Sequence, residues 1–224
     1  GGAPLPLDDR LTLAQCGIQA NSSVQVAGRL RGGVEVTIRG RQHVVDARGR
    51  LDLRDQDLGP AEAKEVAAFL ATSAGGAVAS LRCGNNPGMV GELDWHCHLE
   101  TPDAHAEVFK ELTDSLKTSQ VTEADFSSCG IGPVALGHVS DWVREATGAV
   151  AHLAVGSNPI GDTAMIPLLD TLKDIPLISF DISNTNCGVS TASKLAELLT
   201  DETKFKGALT SINCLANKFG EEDL

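Results

Sequence analysis

The side chains best equipped for chemistry crowd into one short stretch, Trp95-His96-Cys97-His98, with His105 following and Cys83 preceding it. Imidazole and thiolate are the usual donors to zinc. Adjacent ligands in His-Cys-His point in different directions along an extended chain, however, and zinc sites use spaced pairs that a tight turn aims inward. No second pair lies at such a spacing, so no metal site is expected. The stretch reads instead as an exposed loop with a functional role, its Trp95 docked on the body of the protein. Gly88 and Gly91 form no strand-to-helix phosphate loop, and no nucleophile motif or convergent carboxylate pair occurs. The chain is therefore not expected to be an enzyme, to carry a cofactor or to take a small-molecule substrate.

A second suggestive stretch is Arg29-Leu30-Arg31-Gly32-Gly33. Paired glycines let a protease thread the backbone through a channel in which any Cβ would clash, so Arg31, Gly32 and Gly33 form a candidate processing site. With Thr12-Leu13, Ile18-Gln19 and Ser22, this tail makes residues 1–33 resemble the C-terminal part of ubiquitin. The resemblance implies either a cap or linker, or a ubiquitin-like fusion precursor cleaved after Gly33. A third of a domain cannot bury a core alone, so Leu11, Leu13, Ile18, Val24 and Val26 must pack on something else.

What would position these residues is a repeat. Val150 to Gly161 places apolar Leu153, Val155 and Ile160 around Asn158, and the pattern returns about every thirty residues. Leu51, Leu53, Gln56 and Leu58 fit it. So do Leu81, Cys83 and Asn86; Ala124, Phe126, Cys129 and Ile131; Phe180, Ile182, Thr185 and Cys187; and Ile212, Cys214, Asn217 and Phe219. Each unit reads as a short strand, a turn and a helix, and each buries its apolar edge only against its neighbours. The polar position bonds the turn backbone as the chain bends away. Residues 49–224 resemble leucine-rich repeats of the ribonuclease-inhibitor-like subclass. The resemblance implies an α/β solenoid of about six strand-turn-helix units with a parallel sheet on its concave face.

Residues 34–48 alternate as Val34, Val36, Ile38, then Val44 around Arg39-Gly40-Arg41, a hairpin expected to cap or link to the first unit. Helical stripes are expected at Ala63, Val66, Ala67 and Leu70; at Ala106, Phe109, Leu112 and Leu116; at Leu136, Val139, Trp142 and Val143; at Ile166, Leu169 and Leu172; and at Leu195, Leu198 and Leu199. The second unit carries about a dozen surplus residues before Pro102, which is expected to open the next helix. No closing helix follows the sixth strand, so that end is expected to meet a partner.

The alternation assigns the open face by register. Its candidate protein-binding residues are Arg50, Asp52, Arg54, Arg82, Glu123, Asp125, Ser127, His152, Asp181, Ser183 and Asn213. A net charge of −12 without a basic patch argues against nucleic acid. No apolar run long enough to span a bilayer occurs. Repeat positions hold most of the six cysteines, where stacking does not bring them into disulfide geometry, so free thiols in an intracellular, reducing compartment, the cytoplasm, are expected. The functional expectation is a non-catalytic interaction module or scaffold subunit of a multi-subunit complex. A repeat-bearing adaptor in ubiquitin ligation is the further alternative.

Overall fold

A computed structural model describes residues 33–200 and 202–220. Residues 1–32, with Arg31, Gly32 and the ubiquitin-like stretch, lie outside the described residues. The chain is α/β. Six three-residue strands form one wholly parallel sheet: β3 (Arg50–Asp52), β4 (Ser80–Arg82), β7 (Glu123–Asp125), β8 (His152–Ala154), β9 (Ser179–Asp181) and β10 (Ser211–Asn213). Their register is unbroken, with Arg50, Ser80, Glu123, His152, Ser179 and Ser211 in one column.

Alternation of side chains explains which face is filled. Leu51, Leu81, Ala124, Leu153 and Phe180 are buried, as are Leu53, Cys83, Phe126, Val155 and Ile182 two residues on. Against them pack α1 (Pro60–Leu70), α2 (Ala106–Lys117), α3 (Pro133–Glu145), α4 (Asp162–Leu172) and α5 (Val189–Thr200), each touching the next in chain order. A short α6 (Lys204–Ala208) brings Phe205 edge-on to Phe180. Parallel sheets are usually covered on both faces. Here the helices form one layer, and the opposite face carries partly exposed polar and small residues.

After every strand the chain turns at a residue with positive φ: Asp55, Asn85, Ser128, Ser157, Asn184 and Ala216, all between 51° and 60°. The first five of these donate a backbone N–H to the following unit, to Gly84, Ser127, Gly156, Ser183 and Leu215 respectively, so the ladder continues past the strands. Beyond the turn, successive units differ. Asn86 in the second unit accepts from the backbone N–H groups of Gln56 (3.1 Å) and Leu58 (3.0 Å) and donates to the carbonyls of Leu53 and Cys83. Asn158 in the fourth and Asn217 in the sixth reach back to the third and fifth in the same way.

The second and fourth units also reach forward. The Asp103 carboxylate accepts from Gly132 N–H (2.7 Å), Val134 N–H (2.7 Å) and Ala135 N–H (3.0 Å), capping α3 of the next unit. Asp162 does the same for α5, through Gly188 N–H (2.8 Å), Thr191 N–H (3.2 Å) and the Thr191 hydroxyl. A carboxylate there satisfies orphan helix donors and opposes the macrodipole. Burial pushes the Asp162 carboxyl up, but the hydrogen bonds from Thr191 and Gly188 outweigh it and hold the group below its usual 3.8. Its folded-state value is thus depressed, so its stabilisation is full above 3.8 and is lost as pH falls below that through the folded value. Asp162→Asn is expected to cost about 1 kcal/mol at neutral pH. Urea melts should show the variant and wild type converging in strongly acid solution.

At the other end, β1 (Val34–Ile38) and β2 (Arg41–Val45) form an antiparallel hairpin. Its turn, Arg39-Gly40, has positive φ at both residues, 52° and 68°, the conformation that two-residue hairpins favour. Arg39 donates its backbone N–H to Glu65 and its guanidinium to the carbonyls of Gln56 and Asp57, pinning the hairpin to the first unit. The register pairs Val34 with Val45, so Val45 joins Val36 and Ile38 in the core. Val44, part of the same apolar alternation in the sequence, is 52% exposed. In α4 the buried stripe is Met165, Leu168, Leu169 and Leu172, one step round from the expected Ile166, and in α5 Leu199 turns outward.

The surplus residues of the second unit form their own small antiparallel pair, β5 (Glu92–Leu93) with β6 (Leu99–Thr101). Pro102 does not open the following helix; Ala106 does, because Asp103 is drawn away to cap α3.

Candidate open-face binding site

The open sheet face gathers most of the residues assigned to it by register. Arg82, Glu123, Asp125, His152, Asp181 and Asn213 line one depression of about 310 Å³, joined there by Ala154, Ser179 and Ser211. Arg50, Asp52, Arg54, Ser127 and Ser183 lie outside it, at the first unit or beyond the ends of the strands.

Charge on this face is sorted. Arg54 grips Asp52 through two hydrogen bonds, of 2.9 and 2.7 Å, and this guanidinium holds the Asp52 carboxyl below its ordinary value. Arg50 lies 3.8 Å from Asp46. Arg82 donates to Glu123 at 3.0 Å. Burial pushes the Glu123 carboxyl up, but the hydrogen bonds and positive charge around it, those of Arg82 foremost, together outweigh it and leave the group lowered. The first three units therefore neutralise their own cations.

Further along, contacts are hydrogen bonds rather than ion pairs. His152 Nδ1 lies 2.7 Å from Ser179 Oγ. Asp125 accepts from the Ser127 backbone at 3.1 Å. Asp181 accepts from the Ser183 backbone at 2.9 Å, from its hydroxyl at 2.7 Å, and from Asn213 Nδ2 at 2.9 Å. Two glycines make room for these carboxylates: a Cβ on Gly84 would sit 3.1 Å from Asp125, and one on Gly156 would sit 2.9 Å from Asp181. The sequence names both acids, but not that small residues of the second and fourth units leave room for acids of the third and fifth.

The His-Cys stretch lies elsewhere, at the tip of the β5–β6 hairpin. The expected docking of Trp95 does not occur: the indole is 86% exposed, because β5 and β6 pair only with each other and carry the tip outward. His96 stacks on it with ring centroids 3.3 Å apart. Asp94 closes the turn by accepting from the backbone N–H groups of His96 and His98, both at 2.8 Å, and Cys97 adopts a φ of 63°. Among the described residues no group of three or more His, Cys, Asp or Glu side chains is placed to hold a metal ion.

Cys83, Cys129 and Cys187 are buried free thiols, and burial raises all three above their usual range, away from the nucleophilic thiolate. Gly33 is exposed at the start of the hairpin, where a Cβ would lie 2.4 Å from the Val45 carbonyl oxygen. Among the described residues no helix is long and apolar enough to cross a membrane.

No family model matches the sequence, and no curated protein matches it at a significant level.

Proposed function

We propose that the chain is a non-catalytic protein-interaction module, six leucine-rich repeats of the ribonuclease-inhibitor-like kind stacked as a solenoid, serving as a scaffold subunit in a larger intracellular assembly. The observation that carries this is the bare second face of the parallel sheet. One side of each strand is buried against helices, while the other presents charged, hydroxyl and small side chains in straight columns. Such a surface is polar enough to stay soluble alone and rigid enough to dock a partner without reordering. The buried thiols suit a reducing compartment. Gly33 has a packing role in the hairpin, which favours an N-terminal cap over a cleavable junction.

Ala154 is the place to test it. It is half-buried in the middle of the face, so Ala154→Arg raises a plug there while leaving the buried side of β8 untouched. Affinity capture with wild type, followed by crosslinking to the face, is expected to yield a protein that the variant loses at an unchanged melting temperature. Retention of the same protein by the variant would overturn the reading.

A further inference from the structure

Resting on that reading, we infer that the face recognises a polyproline-II segment bearing Lys or Arg at every third residue. The argument begins with charge. Arg54 and Arg82 are spoken for by Asp52 and Glu123, whereas among the described residues Asp125 and Asp181 form no ion pair. Both acids lie in the depression, both are held by backbone hydrogen bonds, and Asn213 fixes the second oxygen of Asp181. They are fixed acceptors for a cation that the described part of the chain does not supply.

Spacing then selects the ligand. Asp125 and Asp181 belong to one register column with Ala154 between them, two strand steps apart. At about 4.8 Å per step their backbone positions stand roughly 10 Å apart across the sheet, and both carboxylates lie toward the glycine of the preceding unit, Gly84 and Gly156, which keeps that spacing. A polyproline-II chain rises about 3.1 Å per residue with three residues per turn, so positions i and i+3 share a side and lie about 9.3 Å apart. A β-strand places same-side residues only about 6.7 Å apart. An α-helix reaches a similar distance only at i and i+7, and its side chains at i+3 and i+4 then stand on the same face, against Ala154, where a polyproline-II chain has none between i and i+3. Ala154, the small residue between the acids, leaves the chain room to pass, and the partner's two cations replace the water around the carboxylates.

Fluorescence anisotropy on the full chain tests this with labelled Arg-Pro-Pro-Arg-Pro-Pro-Arg, an Arg-Pro-Arg-Pro-Arg control, a helical peptide with Arg at i and i+7, and Glu-Pro-Pro-Glu-Pro-Pro-Glu. The first is expected to bind best, more weakly at high salt. Asp125→Asn should weaken it severalfold at an unchanged melting temperature, since Asn keeps an acceptor for the Ser127 amide, and the double variant with Asp181→Asn, which also turns a donor toward Asn213, should weaken it roughly tenfold. Equal affinity for all spacings, preference for the helical or acidic peptide, indifference to the double variant, or no binding overturns the inference. If no peptide binds and Ala154→Arg still strips the captured protein, this inference fails while the broader reading stands. If Ala154→Arg strips nothing, the broader reading fails itself.

Discussion

Asn158→Ala is expected to lower stability by about 3–5 kcal/mol, among the largest single losses the chain can suffer. The side chain is 1% exposed. It accepts from Cys129 N–H and Ile131 N–H, both at 3.0 Å, and donates to the carbonyls of Phe126 and Val155, both at 2.9 Å. Truncation orphans buried backbone groups on two neighbouring units at once, and each carries a desolvation cost of about 1–3 kcal/mol. For a domain of this size the melting temperature should fall by roughly 10 °C. Asn217 makes the corresponding bonds but is only half-buried, so water can replace part of what Asn217→Ala removes. That variant should lose about half as much. Guanidinium melts of both variants decide the matter; a loss below about 1 kcal/mol for Asn158→Ala would show that the turn tolerates unpaired groups.

Gly130→Ala is expected to cost about 3 kcal/mol and to loosen the base of the β5–β6 hairpin. Two effects combine. At φ 77° a side chain is strained by roughly 1 kcal/mol wherever it points. The added Cβ would also lie 2.4 Å from the Pro87 carbonyl oxygen and 2.6 Å from the Gly91 nitrogen, backbone atoms that cannot swing aside. Relief requires residues 87–91 to withdraw, breaking the bond from Val90 N–H to the Cys129 carbonyl. Hydrogen exchange should therefore quicken at Val90 and at His105, whose N–H bonds Val90. Gly137 is the control. A Cβ there meets nothing within 4 Å, so Gly137→Ala should stabilise α3 by about 0.5–1 kcal/mol.

The strand columns were legible in the sequence because period-two alternation allows only one phase once a face is buried. Leu153 and Val155 fix β8 in this way, and even Ala124, a weak apolar signal, falls into line through its neighbours. Helical stripes were less secure. Three apolar residues at Ile166, Leu169 and Leu172 fit one face, but Met165 and Leu168 make the better-filled one, and packing decided between them. Val44 and Val45 could not be ranked without the turn at Arg39-Gly40, which sets the pairing. Trp95 was misplaced because a large apolar side chain was expected to seek cover, whereas a hairpin paired only with itself has none to offer. The open-face residues could be named from the sequence. Their division into neutralised and free acids could not, since it depends on which Arg reaches which carboxylate across strands.

The junctions between units follow a rule of parity. Asn86, Asn158 and Asn217 fasten the first to the second, the third to the fourth and the fifth to the sixth, while Asp103 and Asp162 fasten the joints between those couples. Excising a lone even member would strip both fasteners from one place and abut two odd members with neither. Excising a couple would leave the same sequence of clasps on either side of the cut. Removal of a couple is therefore expected to be tolerated where removal of the second or fourth unit alone is not: by its clasps, this sheet is joined in twos.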